Sequence, residues 1–259
     1  MSSLNESAAV RKQYASPEKL DTRISIHDKY STNPQGFSGW IASHYRFAPG
    51  VSVLELGCGT GSFWVGRENL VRNCSRLVLS DFSEGMLRKA KETLRAFPSV
   101  EYAVIDIQDI PFAARSFDVV IANMMLYHVP DLPLGLTEVR RVLKEGGTFY
   151  SATYGEHGIM EYLCGLFGVS GPDAGANHAF TLQNGEEKLR AHFVSVQRLD
   201  YPDSLAVTDV GDLADYVLSL TGMSALKSIP REEMISVMKA HMKDGVLSVP
   251  KEYGLFVSR

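Results

Sequence analysis

The sequence predicts an α/β fold, a doubly wound sheet of seven strands flanked by helices. Three observations predict it. Apolar, β-rich runs alternate with helix-like segments between residues 51 and 153. The first run ends in a glycine-rich turn, and four successive runs each end in a polar residue. Such alternation gives a parallel sheet with right-handed crossovers. Polar groups at carboxyl strand ends lie at the edge where open α/β sheets bind ligands.

Residues 1–50 precede the first strand and read as a helical leader. Helices are expected at Ser7–Tyr14, Glu18–His27 and Gly36–Tyr45, with a turn at Ser16-Pro17. The leader carries Tyr14, Tyr30, Phe37, Trp40, Tyr45 and Phe47. An aromatic leader ahead of a ligand site reads as a lid; the plainer alternative is that the rings pack on the sheet.

Val51–Glu55 is the first strand, and Gly57, Gly59 and Gly61 form the turn, followed by a helix-like segment. Glycine reaches backbone angles closed to other residues and lets a ligand lie on bare backbone. The spacing is not Gly-x-Gly-x-x-Gly, because residue 62 is Ser, and no Gly-Lys-Ser/Thr P-loop is present. A second strand, Arg76–Ser80, ends at Asp81, about 20 residues beyond the turn, where a ribose diol is gripped. Phe82 follows, and Ser83 reads as the N-cap of a helix over Glu84–Ala96. Val100–Ile105 is a third strand ending in Asp106-Ile107-Gln108, and Phe117–Ala122 a fourth ending in Asn123. The fifth is Gly147–Thr153, and an insertion near 154–180 then interrupts the alternation over the expected pocket. A helix starts at 184–190, a sixth strand spans Phe193–Tyr201, and helices follow at Val207–Leu220 and Arg231–Lys243. Gly254–Ser258 is the seventh strand.

On these motifs the chain resembles the class I S-adenosylmethionine (SAM)-dependent methyltransferases, in the small-molecule branch related to ubiquinone and menaquinone methylases. Glu-x-Gly-x-Gly-x-Gly, Leu79–Ser83 with Met86, Asp106–Phe112 with Ser116–Asp118, and Glu138–Gly147 carry the likeness, over roughly residues 50–153. The stretch from Tyr14 through Arg23, His27, Tyr30, Gly36 and Trp40 is also similar to a bacterial subgroup. The resemblance implies a Rossmann-like sheet whose last strand lies antiparallel beside the fifth. It implies two regions, a lid over 1–50 and a SAM-binding domain over 51–259 with a cap near 154–180 and helices at 207–243.

The resemblance also assigns a cofactor site. Glu55 holds the glycine turn from behind; Gly57, Gly59, Gly61 and Asp81 hold the cofactor. Asp106 and Ile107 frame the adenine, with Phe82 and Met86 on its other face, and Asn123 and Met124 lie near the sulfonium. Similar bacterial enzymes carry histidine at the position of Met124, so a general base is lost there. Methionine is apolar and polarizable, and suits either the sulfonium region or a core gap. Asn123, Tyr127, Tyr30 and His27 are the candidates for substrate contact. His128 and His178 are weaker ones, each open to a structural reading. Tyr30, Phe37, Tyr127 and Phe180 are candidates for an aromatic wall beside the cation. The loop after strand four is not Asn-Pro-Pro-Tyr, the signature of methylases of planar amino groups.

Methyl transfer from SAM to a small-molecule acceptor is the first expectation. If lid and cap leave no room for an acceptor, the SAM amine could attack its own γ-carbon, giving azetidine-2-carboxylate and methylthioadenosine. A non-catalytic SAM-binding regulator is the third. A net charge of −4 and a pI near 6.0 argue against a nucleic-acid partner. No apolar run reaches 18 residues, so no membrane span is expected. Cys58, Cys74 and Cys164 are scattered, which suits free thiols in the cytoplasm and offers no zinc-site spacing.

Overall fold

The computed structural model describes residues 25–169, 177–220 and 223–259. The expected helix at Ser7–Tyr14, the turn at Ser16-Pro17, the start of the helix at Glu18–His27 and most of the loop within the cap lie outside these residues. The sheet has seven strands: β1 Val51–Leu56, β2 Cys74–Asp81, β3 Val100–Val104, β4 Phe117–Asn123, β5 Leu143–Tyr154, β6 Val196–Val207 and β7 Leu247–Ser258. Their order is β3-β2-β1-β4-β5-β7-β6. Strands β1 to β5 pair in parallel, and β7 pairs antiparallel with both β5 and β6. The chain fills one side of β1 with β2 and β3, then crosses to β4. The gap between β1 and β4 is therefore the switch point at which such sheets bind ligands.

Nine labelled helices surround the sheet among the described residues: α1 Phe37–His44, α2 Glu68–Asn73, α3 Glu84–Thr93, α4 Leu132–Val142, α5 Ile159–Leu166, α6 Gly185–Arg190, α7 Val210–Ser219, α8 Ser224–Lys227 and α9 Arg231–Ala240. Residues 25–30 are also helical. β1 is buried along its whole length, as expected for a central parallel strand covered on both faces. One face packs Leu54, Val120 and Phe149 against Leu136 and Val139 of α4. The other packs Val53, Leu79 and Ile121 with Trp40, Trp64 and Ala90. A third cluster joins α5, α7 and α9 to the outer halves of β6 and β7. The caps follow local chemistry: Ser83 Oγ accepts from Met86 N at 3.4 Å, and Asp131 Oδ1 from Leu134 N at 3.0 Å.

The main differences from expectation fall at three places. The segment after the glycine turn is a short 3-10 helix, Ser62–Trp64, before α2, and not one continuous α-helix. β6 runs on to Val207, so Val207 ends a strand, and α7 starts at Val210. β7 starts at Leu247, seven residues before Gly254. Pro202 and Pro250 obscured this ladder. Pro202 lies on the edge strand, and Pro250 lies where β7 has outrun β5, so neither missing N–H breaks the sheet.

Candidate active site

A cavity of about 1050 Å³ opens along the carboxyl ends of the strands, from the glycine turn to the β6–β7 ladder. Gly57 and Gly59 form its floor at the end of β1. Gly57 has φ +71°, and a Cβ there would stand 2.9 Å from the Met125 side chain. Gly59 has φ +57°, and a Cβ there would meet no protein atom within 4 Å. Gly61 is different. Its backbone, at φ +72°, lies against Ala90 and Leu94, so it lets α3 approach the turn and does not line the cavity.

Asp81 faces the cavity at the end of β2. Its Oδ2 accepts from Gly59 N at 2.9 Å and its Oδ1 from Ser83 N at 2.8 Å. Burial raises its pKa, and these backbone N–H groups oppose the rise. The Phe82 backbone N–H also bonds this carboxylate, and with about four acceptor positions on its two oxygens the group keeps acceptor capacity for a ribose hydroxyl. Phe82, Met86, Asp106 and Ile107 continue this wall. Asp106 is held by Gln108, whose N and Nε2 donate to Oδ1 at 2.9 and 3.0 Å. The residues present thus fit an adenosine moiety, with a carboxylate for the ribose, a bare backbone turn, and an apolar slot with one acid.

Glu55 stands behind this floor. It is 2% exposed and accepts from Trp64 Nε1 at 2.6 Å. Burial pushes its pKa up to about 7. Asn123 also sits behind the wall: its Nδ2 donates to Tyr45 Oη at 2.8 Å, and its Oδ1 is buried with no hydrogen-bond partner among the described residues. Met124 does reach the cavity, with a left-handed backbone at φ 55°. A non-glycine residue held there carries strain of about 1–3 kcal/mol, a pattern that clusters at ligand clamps.

The remaining candidates divide. His27, Phe37, Tyr127, His128 and His178 are on the cavity wall. Tyr30 is not; its hydroxyl donates to Asp212 at 2.6 Å. Phe180 is fully buried against Phe256, with ring centroids 5.8 Å apart, and belongs to the core. The leader is fastened to β6. Thr32 N donates to Ser204 O at 2.9 Å, Asn33 N to Asp203 Oδ1 at 3.0 Å, and Ser31 Oγ also bonds Asp203.

Sequence reasoning missed the wall formed by Gln108, Met125, Tyr154, Tyr216, Lys251 and Glu252. Lys251-Glu252-Tyr253 precede the expected seventh strand, and they reach the wall because β7 begins earlier, at Leu247, and runs antiparallel to β5.

The protein-family model described as "Methyltransferase domain" matches residues 54–151. Over these 98 of its 259 residues the chain is similar to that methyltransferase domain. The match takes in the end of β1, the glycine turn, Asp81, Asp106, Asn123 and most of β5. The demethylmenaquinone methyltransferase of Staphylococcus aureus (strain MRSA252) is 36% identical over 98 residues, 38% of this chain and 41% of that protein. The chain therefore matches less than half the length of that relative. Among solved structures, the YcgJ protein of Bacillus subtilis aligns with a TM-score of 0.58 at 16% identity, covering 85% of this chain and 96% of its own. The cyclase SpnF aligns with a TM-score of 0.60 at 17% identity, covering 97% and 95%. At such identities the two structures speak for the fold of the methyltransferase domain and its flanking helices. No helix among the described residues is long and apolar enough to cross a membrane.

Proposed function

We propose that this protein binds SAM and transfers its methyl group to a small-molecule acceptor. The observation that carries this reading is the reach of the cavity. The residues suited to adenosine lie at the ends of β1, β2 and β3. The same cavity continues past Met124 and Tyr127 to Tyr154, Tyr216 and Tyr253. Its volume of about 1050 Å³ stands at the top of the roughly 300–1,000 Å³ range for one small ligand. That leaves room for a second molecule, and so favours transfer over reaction within the cofactor. One structural neighbour is a cyclase, and a fold by itself does not fix the chemistry.

When bound, SAM supplies an activated methyl carbon on a sulfonium. The chain's part is then to bind, orient and exclude water. Asp81 and the glycine turn fix the adenosine. The left-handed Met124 and the rings of Tyr127 and Phe37 wall the space beyond, where alignment of nucleophile and carbon lowers the barrier. The leader, in this reading, is the roof of the acceptor space, tied down through Ser31, Thr32 and Asn33. The test is calorimetric binding of S-adenosylhomocysteine (SAH), followed by turnover of SAM with metabolite fractions. Saturable SAH binding and acceptor-dependent SAH formation are expected. Binding without turnover in every fraction would favour a regulator.

A further inference from the structure

The acceptor side of the cavity has a charge pattern of its own. Three strand spacings separate β1 from β7, about 14 Å at ~4.8 Å each. Groups on β7 and on the segments beside it are therefore clear of the adenosine positions. Asp28, Glu156, Glu161 and Glu252 face the cavity there, with Lys251 the single lysine or arginine on the wall among the described residues. Lys251 is out of a ligand's reach: its side chain is 2% exposed and paired with Asp203, which is 0% exposed. The side chains of Glu156 and Glu161 are 28% and 60% exposed. His178 and His157 lie 3.4 and 3.2 Å from these two glutamates, and Arg198, off the wall, lies 3.7 Å from Glu252. The accessible permanent charge is thus negative.

A second observation is independent of the acids. His27 lines the same cavity, and its Nδ1 is buried with no hydrogen-bond partner among the described residues. Its ring stands edge-on to Tyr253 and Tyr216, at centroid distances of 5.7 and 6.2 Å. Burial, followed by the charge of Lys251, lowers its pKa to about 3, so the imidazole is neutral at physiological pH. A neutral imidazole has one accepting nitrogen, and with Nδ1 buried the nitrogen left to meet a ligand is Nε2; tyrosine rings present negative faces to a cation.

We propose that this side of the cavity takes an amine as methyl acceptor, drawn in by the carboxylates and oriented by His27. The inference rests on the methyl-transfer reading above. The carboxylates draw in the ammonium form, which gives one proton to water, and the resulting free-base amine is the nucleophile. Its lone pair forms the C–N bond while the C–S bond breaks, and that electron pair leaves with sulfur, giving a thioether. The methylated nitrogen is then a cation and releases its extra proton to water. His27 directs an N–H and does not take the proton.

The experiment uses the full chain saturated with SAH, with SAH binding measured first. Calorimetric titration then compares 2-phenylethylamine, 2-phenylethanol and phenylacetate, which share one ring and differ in the polar end. The expected result is amine binding roughly tenfold tighter than alcohol, with the acid weakest, as steering by a net negative wall requires. The exposed double substitution Asp28→Asn, Glu161→Gln should remove most of the amine's advantage and leave the alcohol unchanged. Acid or alcohol binding as tightly as the amine, or none of the three binding to SAH-loaded protein, overturns the inference. Failure of SAH itself to bind overturns the methyl-transfer reading instead.

Discussion

The indole Nε1 of Trp64 donates a 2.6 Å hydrogen bond to Oε2 of Glu55, and both side chains are almost wholly buried beneath the glycine turn. The pair ties the 3-10 segment after the turn back to the strand before it. Gly57, Gly59 and Gly61 are thereby held in left-handed conformations at both ends of the loop. One carboxylate fixing the floor from behind explains why an acid stands at the end of β1 without facing the cavity.

This burial makes stability depend on pH. Glu55 titrates near 7 when folded, against 4.5 as its ordinary value. Between these values the unfolded chain has lost the proton and the folded chain keeps it. Stability therefore falls as pH rises from about 4.5 to 7, by up to about 3 kcal/mol, and is level above. Glu55→Gln keeps an acceptor for Trp64 and removes the titration. Denaturant unfolding at pH 5 and pH 8 should show the drop in the parent and a smaller one in the variant. Equal drops would contradict the assignment.

Gly57 and Gly59 should respond differently to alanine. At Gly57 the new Cβ runs into Met125 at 2.9 Å, so the fold itself should lose about 1–3 kcal/mol. At Gly59 the Cβ enters open cavity, and only the left-handed backbone resists, by about 1 kcal/mol. Gly59→Val should therefore leave a folded protein that no longer binds SAH. Thermal melts paired with calorimetry separate the two outcomes.

Asp203 and Lys251 stand directly opposite each other on β6 and β7, fully buried, and Asp203 also collects Ser31, Thr32 and Asn33. Lys251→Met leaves the carboxylate without its cation and should cost about 3–5 kcal/mol. Amide exchange at Thr32 and Asn33 should quicken, because their bonds to β6 loosen. Arg190→Gln, which breaks the exposed pair with Glu186, should cost under about 1 kcal/mol. Similar losses for the two variants, measured by urea unfolding, would contradict the anchoring role.

The cavity wall at the ends of β1, β2 and β3 was legible in the sequence because it is local. Gly57, Gly59 and Asp81 lie on consecutive strand ends, and their spacing alone places them together. Asp106 and Ile107 followed from the same rule one strand later. The wall beside β7 was not legible, because it is assembled from distant segments. His27, Tyr216 and Tyr253 meet only when β7 turns back beside β5, and nothing local marks Asp203 as the partner of Lys251. Tyr30 and Phe180 were expected on the wall for their ring type. Tyr30 instead met Asp212, and Phe180 fell on the inner side of its turn, where apolar burial decided its place. Pro202 and Pro250 hid half of the longest ladder, since a proline argues against a strand unless the strand is known to lie at an edge.

The central claim is that a SAM methyl group leaves for a second molecule. Purified protein is incubated with SAM alone and with SAM plus an amine mixture, and the nucleoside products are separated by mass. The account predicts SAH that forms only with acceptor present, carries a matching methylated amine, and vanishes in Asp81→Ala, which forfeits about 2–3 kcal/mol of binding. Enzyme-dependent methylthioadenosine from SAM alone, abolished by the same substitution, would contradict it.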